Sequence, residues 1–217
     1  MDFKTARQHM VDSQVRTNDV TNLRLQSAME TTPREVFLPP ELREQAYVER
    51  EVQYAPGRRL LTARDFAKLA AAADPQPGDL VLNVVCGSGY STAILAQLSE
   101  MVVSLESDET LAGKAQENLT ALGLSNAAVI TGDPRKGAPD QGPFDLIFVG
   151  GAIERRPDTL LQQLKDGGRL AALLRKDGVS RGVIYERSGD VFAGAEKFDA
   201  STRAILPGFE ISKGFVF

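Results

Sequence analysis

The sequence predicts an α/β fold: a doubly wound, mostly parallel, Rossmann-like sheet with helices on both faces and antiparallel strands at one edge. Three observations predict it. Apolar strand patterns alternate with helical patterns between residues 80 and 174, and a glycine turn joins the first strand to a helix. The strand patterns after residue 182 lie too close together for crossover helices, which parallel strands require, so they are expected to be antiparallel.

A breaker cluster at Pro75–Gly78 separates an N-terminal helical segment from the sheet. Helices are expected before it at Phe3–Arg16, Asn22–Met29, Glu41–Ala46 and Arg64–Ala73. We expect a single domain over residues 1–217. In it, segment 1–75 packs on a βα core of residues 78–175, and residues 182–217 form the edge strands.

The core elements follow from hydrophobic periodicity. Strands are expected at Leu80–Val84, Met101–Leu105, Ala127–Ile130, Phe144–Val149 and Arg169–Leu174, and in the tail at Gly182–Glu186, Val191–Phe198 and Ile211–Phe217. Helices are expected between the core strands at Ser91–Leu98, Glu109–Leu122 and Asp158–Leu164.

Composition narrows the class of protein. The formal net charge of −4 argues against a nucleic-acid partner. Residues 1–10 are polar, and no apolar run reaches the ~18 residues that cross a bilayer, so no membrane partner is expected. The single Cys86 excludes an internal disulfide and predicts a cytoplasmic location. Because His9 is far away in sequence, Cys86 is interpreted as a small residue that fills a turn. The oligomeric state is left open.

Four short segments that follow apolar strands are expected to line one crevice, since ligands sit beyond the carboxyl ends of such strands. The first is the glycine turn Gly87-Ser-Gly89, where backbone N–H groups and a helix N-terminus converge. Glu106 is placed to accept hydrogen bonds from two ribose hydroxyls, and Asp133 from an adenine amino group. The pair Gly150-Gly151 allows close approach of backbone to a ligand. Together they predict a nucleoside site.

The turn distinguishes among nucleoside cofactors. A dinucleotide fingerprint needs a third Gly or Ala where Thr92 stands, and no lysine follows the turn to bind phosphates, which excludes a P-loop. The pattern suits S-adenosyl-L-methionine, which has no phosphate. The predicted cofactor-binding residues are Asn83, Val85, Cys86, Gly87, Ser88, Gly89, Glu106, Ser107, Asp133, Pro134 and Gly150. No metal site is predicted.

Motifs along residues 6 to 175 resemble the protein-L-isoaspartate O-methyltransferase family, especially a divergent bacterial branch. They are Met10-Val-Asp-Ser-Gln-Val-Arg16, Ala28-Met29 with Pro33-Arg-Glu-Val-Phe-Leu-Pro39, Ala46-Tyr47, Gly87-Ser-Gly-Tyr90, Leu122-Gly123, Gly132-Asp133, Phe144-Asp145, and Leu164 with Gly167-Gly-Arg169. The resemblance implies a class I methyltransferase fold and an enzyme that uses S-adenosyl-L-methionine to form methyl esters on isoaspartyl residues. It also implies a role in protein repair and an isoaspartyl-containing protein or peptide as partner.

The chain departs from the family pattern at its site. The family reads G-Q-T-I-S where this chain has Gly57-Arg-Arg-Leu-Leu61, so the family hydroxyl is absent at Leu61, and Thr62, one residue on, is the candidate catalytic residue. Asn83 stands where an acid is usual, and Val85 stands where a glycine is usual. Two alternatives stay open. One is a catalytically impaired or inactive binding module, and the other is a methyltransferase with another carboxylate or small-molecule acceptor.

Overall fold

A seven-stranded sheet forms the centre of the structure, a computed structural model in which residues 1–211 are described. The strands are β1 Val52–Ala55, β2 Arg58–Leu60, β3 Leu80–Val84, β4 Met101–Glu106, β5 Ala127–Thr131, β6 Phe144–Ile153, β7 Leu164–Lys176, β8 Val179–Ser188 and β9 Val191–Ala200. The sheet order is β5-β4-β3-β6-β7-β8-β9. Strands β5, β4, β3, β6 and β7 are parallel, whereas the pairs β7-β8 and β8-β9 are antiparallel. This arrangement confirms the predicted fold class.

The α-helices are divided unevenly between the two faces of this sheet: five pack on one face, and one short helix of residues 158–161 packs on the other. They are α1 Phe3–Met10, α2 Leu23–Thr31, α3 Ala63–Ala73, α4 Tyr90–Ala96, α5 Glu109–Ala121 and α6 Asp158–Leu161. Neighbouring residues of one strand belong to different cores: Phe148 packs with the N-terminal helices, and Ile147 packs on the opposite face. This alternation is what a strand buried on both faces requires.

The order of the strands reverses beside β3, and this reversal positions the site. The chain runs outward from β3 to β4 and β5, then returns to place β6 on the other side of β3. Two crossovers therefore leave the sheet in opposite directions at the carboxyl ends of β3 and β6. A crevice forms at such a switch point.

Three predicted helices differ from the structure. The predicted first helix continues past Met10 as a π-helical turn over Val11–Val15 and a 3₁₀ turn over Arg16–Asn18. Residues Pro40–Gln45 form a 3₁₀ helix. The predicted helix Asp158–Leu164 was wrong at its end: α6 stops at Leu161, because Leu164 is fully buried and pairs with Phe144 as the first residue of β7.

A hairpin of β1 and β2 was missed by sequence reasoning. It forms a separate two-stranded antiparallel sheet, in which Val52 pairs with Leu60 and Gln53 with Arg59. The strands are only four and three residues long, with a bulge between Gln53 and Ala55, so they carry too little alternation to reveal a strand. The hairpin nevertheless covers the glycine turn.

The end of the described chain returns to the crevice. Ile205 forms an isolated parallel bridge with Ala152, and Leu206 N donates to Ala152 O over 2.8 Å. A Cβ on Gly151 would lie 2.7 Å from Leu206, so this glycine permits the close approach. The predicted strand Ile211–Phe217 lies outside the described residues except for Ile211, which is not in a strand.

Within residues 1–211 no helix has both the length and the apolar composition needed to span a membrane.

Candidate active site

The glycine turn between β3 and α4 has the tight geometry that its sequence predicts. Gly87 and Gly89 take φ values of +57° and +100°, a region that favours glycine, and Gly89 N donates to Cys86 O over 3.0 Å. A Cβ on Gly89 would lie 3.3 Å from the backbone of Ala115, so the turn packs closely against α5. The turn thereby brings the start of α4 to the carboxyl end of β3.

Val85 is strained within this turn. Its φ of +60° is unusual for any residue with a side chain and most of all for a β-branched one. Such a conformation costs about 1–3 kcal/mol and persists only where the surroundings hold it. Here the N–H groups of Val85 and Cys86 both donate to Leu105 O, over 2.9 and 3.2 Å. The backbone therefore keeps the conformation that glycine would take, although a branched side chain occupies the position.

Glu106 lies fully buried at the end of β4 and accepts several backbone hydrogen bonds. Gly87 N donates to Oε2 over 2.9 Å, while Ser107 N and Asp108 N donate to Oε1 over 2.7 and 3.0 Å. The carboxylate thus joins β4 to the glycine turn. Burial opposes its ionisation, but the hydrogen bonds from Arg58 and from the backbone outweigh burial and lower the pKa of Glu106.

Arg58 of the hairpin binds the same carboxylate. Its Nε donates to Oε2 over 3.0 Å, its Nη2 donates to Oε1, and Nη2 also contacts Ser107 Oγ at 2.9 Å. Arg58 is 6% exposed, so both charges are shielded from water. In this conformation the oxygens predicted to receive ribose hydroxyls therefore bind a guanidinium of the same chain.

Tyr54 is the second hairpin residue that covers the turn. Its hydroxyl accepts a hydrogen bond from Ser88 N over 3.3 Å, and a Cβ on Gly87 would lie 1.9 Å from that hydroxyl oxygen. Burial raises the pKa of Tyr54. A glycine at position 87 is therefore required here by the neighbouring side chain as well as by its φ.

Asn83 is fully buried and organises hydroxyl groups at the start of α4. Its Nδ2 donates to Ser91 Oγ over 2.8 Å and to Thr92 Oγ1 over 2.9 Å, and Thr92 in turn bonds Ser104 Oγ over 2.7 Å. Its Oδ1 has no hydrogen-bond partner among residues 1–211. An amide thus replaces the usual acid at the centre of a buried polar network.

Cys86 shows the properties of a small buried residue. Burial raises the pKa of its thiol to about 12, and the negative charge of Glu106 adds to that effect. The thiol is therefore protonated near neutral pH and is a poor nucleophile.

A small cavity lies beneath the hairpin, beside the turn. Its volume is about 40 Å³. The lining combines apolar and cationic side chains, including Arg34, Arg58, Arg59, Leu61, Phe66, Val85, Cys86, Tyr90, Phe148, Gly150 and Leu206. Leu61, where the family hydroxyl is absent, faces this cavity. Thr62 is not among the lining residues, because it caps α3 and its Oγ accepts a hydrogen bond from Asp65 N over 3.0 Å.

A wider, open cavity of about 480 Å³ lies beside Ser107, the residue that follows Glu106. Ser107, Asp133 and Pro134 line it, together with Arg135 and Pro207. The Asp133 carboxylate is bound by Arg135, whose Nε and Nη2 lie 3.0 and 2.8 Å from its oxygens, and this guanidinium lowers the pKa of Asp133. Both acids predicted to bind a nucleoside are therefore paired with arginines of the same chain, Glu106 in the interior and Asp133 at the surface.

The structure brings the predicted residues together around the turn in two groups. Val85, Cys86 and Gly150 line the small cavity, and Ser107, Asp133 and Pro134 line the wide one. Sequence reasoning missed Tyr54 and the role of Arg58, since the hairpin that carries them was not predicted.

Comparisons with known proteins agree with the fold. The family model described as "Protein-L-isoaspartate(D-aspartate) O-methyltransferase (PCMT)" matches residues 5–195. A protein-L-isoaspartate O-methyltransferase of Maricaulis maris is 32% identical over 194 residues, which cover 89% of this chain and 91% of the relative. One of Koribacter versatilis is 36% identical over 168 residues, covering 77% and 76%.

Two solved structures share the fold. A protein-L-isoaspartate O-methyltransferase superposes with a TM-score of 0.78 at 23% identity, over 93% of this chain and 66% of the other. A second, from Plasmodium falciparum in complex with S-adenosyl-L-homocysteine, also has a TM-score of 0.78, at 19% identity over 95% and 98% of the two chains.

Proposed function

Because the chain belongs to the protein-L-isoaspartate O-methyltransferase family, we propose that it methylates a carboxylate of isoaspartyl-containing proteins or peptides with S-adenosyl-L-methionine. The observation that carries the proposal is Glu106, a buried carboxylate that joins the end of β4 to the glycine turn at the switch point of the sheet. We place this repair activity in the cytoplasm, as the single cysteine suggests.

The backbone of the crevice forms a cradle that fits the cofactor. Gly87 and Gly89 form the turn on which it would lie, Glu106 would receive its ribose, and Asp133 stands at the open side where an adenine would enter. In the described conformation the Arg58 guanidinium is paired with the Glu106 carboxylate. This ion pair must break before the carboxylate can accept hydrogen bonds from a ribose.

The chemistry asks little of the protein beyond positioning. When bound, the cofactor supplies a methyl group on a sulfonium, which an anionic oxygen can attack without a general base. A carboxyl group with an ordinary pKa of ~4 is already ionised near neutral pH. The side chains of Leu61, Phe66 and Phe148 would exclude water from the reacting groups. Alignment of the carboxylate oxygen with the methyl group would then supply much of the rate acceleration.

A methylation assay tests the proposal directly. With methyl-labelled cofactor, an isoaspartyl peptide is expected to gain base-labile methyl ester, whereas the matched aspartyl peptide gains none. Calorimetric titration with S-adenosylhomocysteine measures cofactor binding separately. Ester on both peptides or on neither contradicts isoaspartyl specificity.

One alternative function has a specific observation in its favour. A non-catalytic binding module would explain why the cavity beside the turn is only about 40 Å³ and why Glu106 is already paired. That alternative predicts no methyl ester on any carboxylate, even under conditions in which calorimetry shows the cofactor bound.

Replacing Leu61 with serine is expected to raise methyl transfer to the isoaspartyl peptide while leaving S-adenosylhomocysteine affinity nearly unchanged. The serine hydroxyl enters the small cavity, on which Leu61 borders. Leu61→Ala is the matched control, since it removes the same buried side chain without adding a donor. Equal rates for the serine and alanine variants would show that space in the cavity, and not the hydroxyl, limits transfer.

A further inference from the structure

Two residues that line the small cavity each carry a buried polar atom with no hydrogen-bond partner among residues 1–211. These atoms are Nη1 of Arg34, which is 1% exposed, and the hydroxyl of Tyr90, which is 4% exposed. Leaving a buried donor unsatisfied costs about 1–3 kcal/mol, more for a charged group. Such atoms in a native protein usually have a partner that is a water, an ion or a ligand.

The charge of Arg34 is also without a counter-ion in the described part of the chain. Its Nε donates to Ala46 O over 2.8 Å and its Nη2 donates to Leu61 O, so two of its nitrogens bind only backbone carbonyls. No carboxylate of residues 1–211 lies within 4.0 Å of its nitrogens. The other two arginines of the cavity, Arg58 and Arg59, each face a glutamate. Because buried charges are normally paired, the surroundings of Arg34 favour an anionic group.

Tyr90 presents a hydrogen-bond donor beside this cation. Its ring lies 4.7 Å from Arg34 Cζ in a cation–π contact, and Phe37 and Phe66 hold the ring from two other sides. Burial raises the pKa of the Tyr90 hydroxyl and outweighs two opposing effects of Arg34, its positive charge and a contact of its guanidinium with the hydroxyl, so the hydroxyl keeps its proton. That contact does not meet the distance and angle limits of a hydrogen bond. A guanidinium nitrogen and a phenol hydroxyl thus offer two donors to one small space.

The complement of two donors and one positive charge is a small anion with two acceptor oxygens. The apolar walls of Leu61, Phe66 and Phe148 keep water from competing, which strengthens such a charge-assisted pair. A volume of about 40 Å³ leaves room for a group of a few atoms. A carboxylate meets all these requirements.

We propose that Arg34 and Tyr90 form a subsite that binds the carboxylate of a ligand in the crevice. This rests on the proposed function, in which two ligands carry such a group: the isoaspartyl residue that accepts the methyl, and the methionine part of the cofactor. The same donors serve either source, and separate experiments distinguish them.

The subsite itself is tested with acetate, without methyl transfer. The Arg34 side-chain NMR resonances, assigned by their loss in Arg34→Lys, are expected to shift saturably with acetate and not with acetamide. Tyr90→Phe keeps the ring and its packing and removes only the hydroxyl, so it is expected to weaken acetate binding about tenfold. An equal response to acetate and acetamide would show a water-filled cavity and overturn the proposal.

Two ligand pairs then identify the source of the carboxylate. If the cofactor supplies it, Tyr90→Phe weakens S-adenosylhomocysteine about tenfold but not 5′-methylthioadenosine, which lacks the carboxylate. If the acceptor supplies it, Tyr90→Phe raises the KM for the isoaspartyl peptide by a similar factor with a smaller change in kcat.

Tyr185→Phe is the matched control, because Tyr185 is a buried tyrosine of β8 outside this cavity. Wild-type affinity of Tyr90→Phe for both carboxylate ligands overturns the proposal. A chain that binds acetate as expected but methylates no peptide refutes the proposed function alone.

Discussion

Replacing Arg58 with glutamine is expected to tighten the binding of S-adenosylhomocysteine at least tenfold, or about 1.4 kcal/mol. Arg58 holds both oxygens of Glu106, so a ribose can reach this carboxylate only after a buried, charge-assisted pair is broken. Glutamine is also the residue of the G-Q-T-I-S pattern at this position. Titration calorimetry on the wild type and the variant measures the effect.

The structure explains why the Arg58→Gln variant should still fold. Glu106 keeps its hydrogen bonds from Gly87 N, Ser107 N and Asp108 N when the guanidinium is gone, so its carboxylate is not left unpartnered.

Arg135→Gln is the control for this prediction. It removes the guanidinium that is paired with Asp133. The Arg135 side chain is 62% exposed, and surface ion pairs of this kind contribute little to stability. We expect it to change S-adenosylhomocysteine affinity by less than about twofold, which is under 0.5 kcal/mol. Unchanged or weaker binding by Arg58→Gln would show that the ion pair does not compete with the cofactor.

Replacing Glu106 with glutamine is expected to destabilise the protein by about 3 kcal/mol and to abolish cofactor binding. The variant leaves the Arg58 guanidinium buried without its anion and replaces one of the two acceptor oxygens with a donor that faces Arg58 or Gly87 N. For a chain of this size the loss lowers Tm by about 6–12 °C. Urea unfolding at neutral pH measures the loss. We expect it to exceed the loss in Arg58→Gln, in which Glu106 keeps its backbone hydrogen bonds, and an equal or smaller loss contradicts this prediction.

The stability difference between the wild type and Glu106→Gln is expected to depend on pH. Folding lowers the pKa of Glu106 from its ordinary 4.5, so the unfolded chain takes up this proton at a higher pH than the folded chain does. The stabilisation is therefore complete above pH 4.5 and disappears as the pH falls towards the folded pKa. Unfolding free energies measured from neutral pH downward should converge for the two proteins, and a difference independent of pH would contradict this assignment.

Sequence reasoning determined the framework of this protein because local patterns specify it. The alternation of apolar strands with helices placed β3 at Leu80–Val84 with its bounds correct, and it predicted the antiparallel edge from strand spacing alone. The glycine turn and the acid at the end of β4 were found for the same reason, because a few neighbouring residues specify a tight turn or the end of a strand.

Tertiary structure alone decided what the site contains. Arg58 and Glu106 are 48 residues apart, and their contact depends on a hairpin too short to show a strand pattern. Arg34, Leu61 and Tyr90 meet around one cavity from three separate segments of the chain.

Whether a buried charge has a partner depends on burial and on the distances between segments of the chain. The neighbouring residues in sequence specify neither of these. Sequence therefore predicted where a ligand would bind. Packing decided that Glu106 is already paired with an arginine and that Arg34 lacks an anion among residues 1–211.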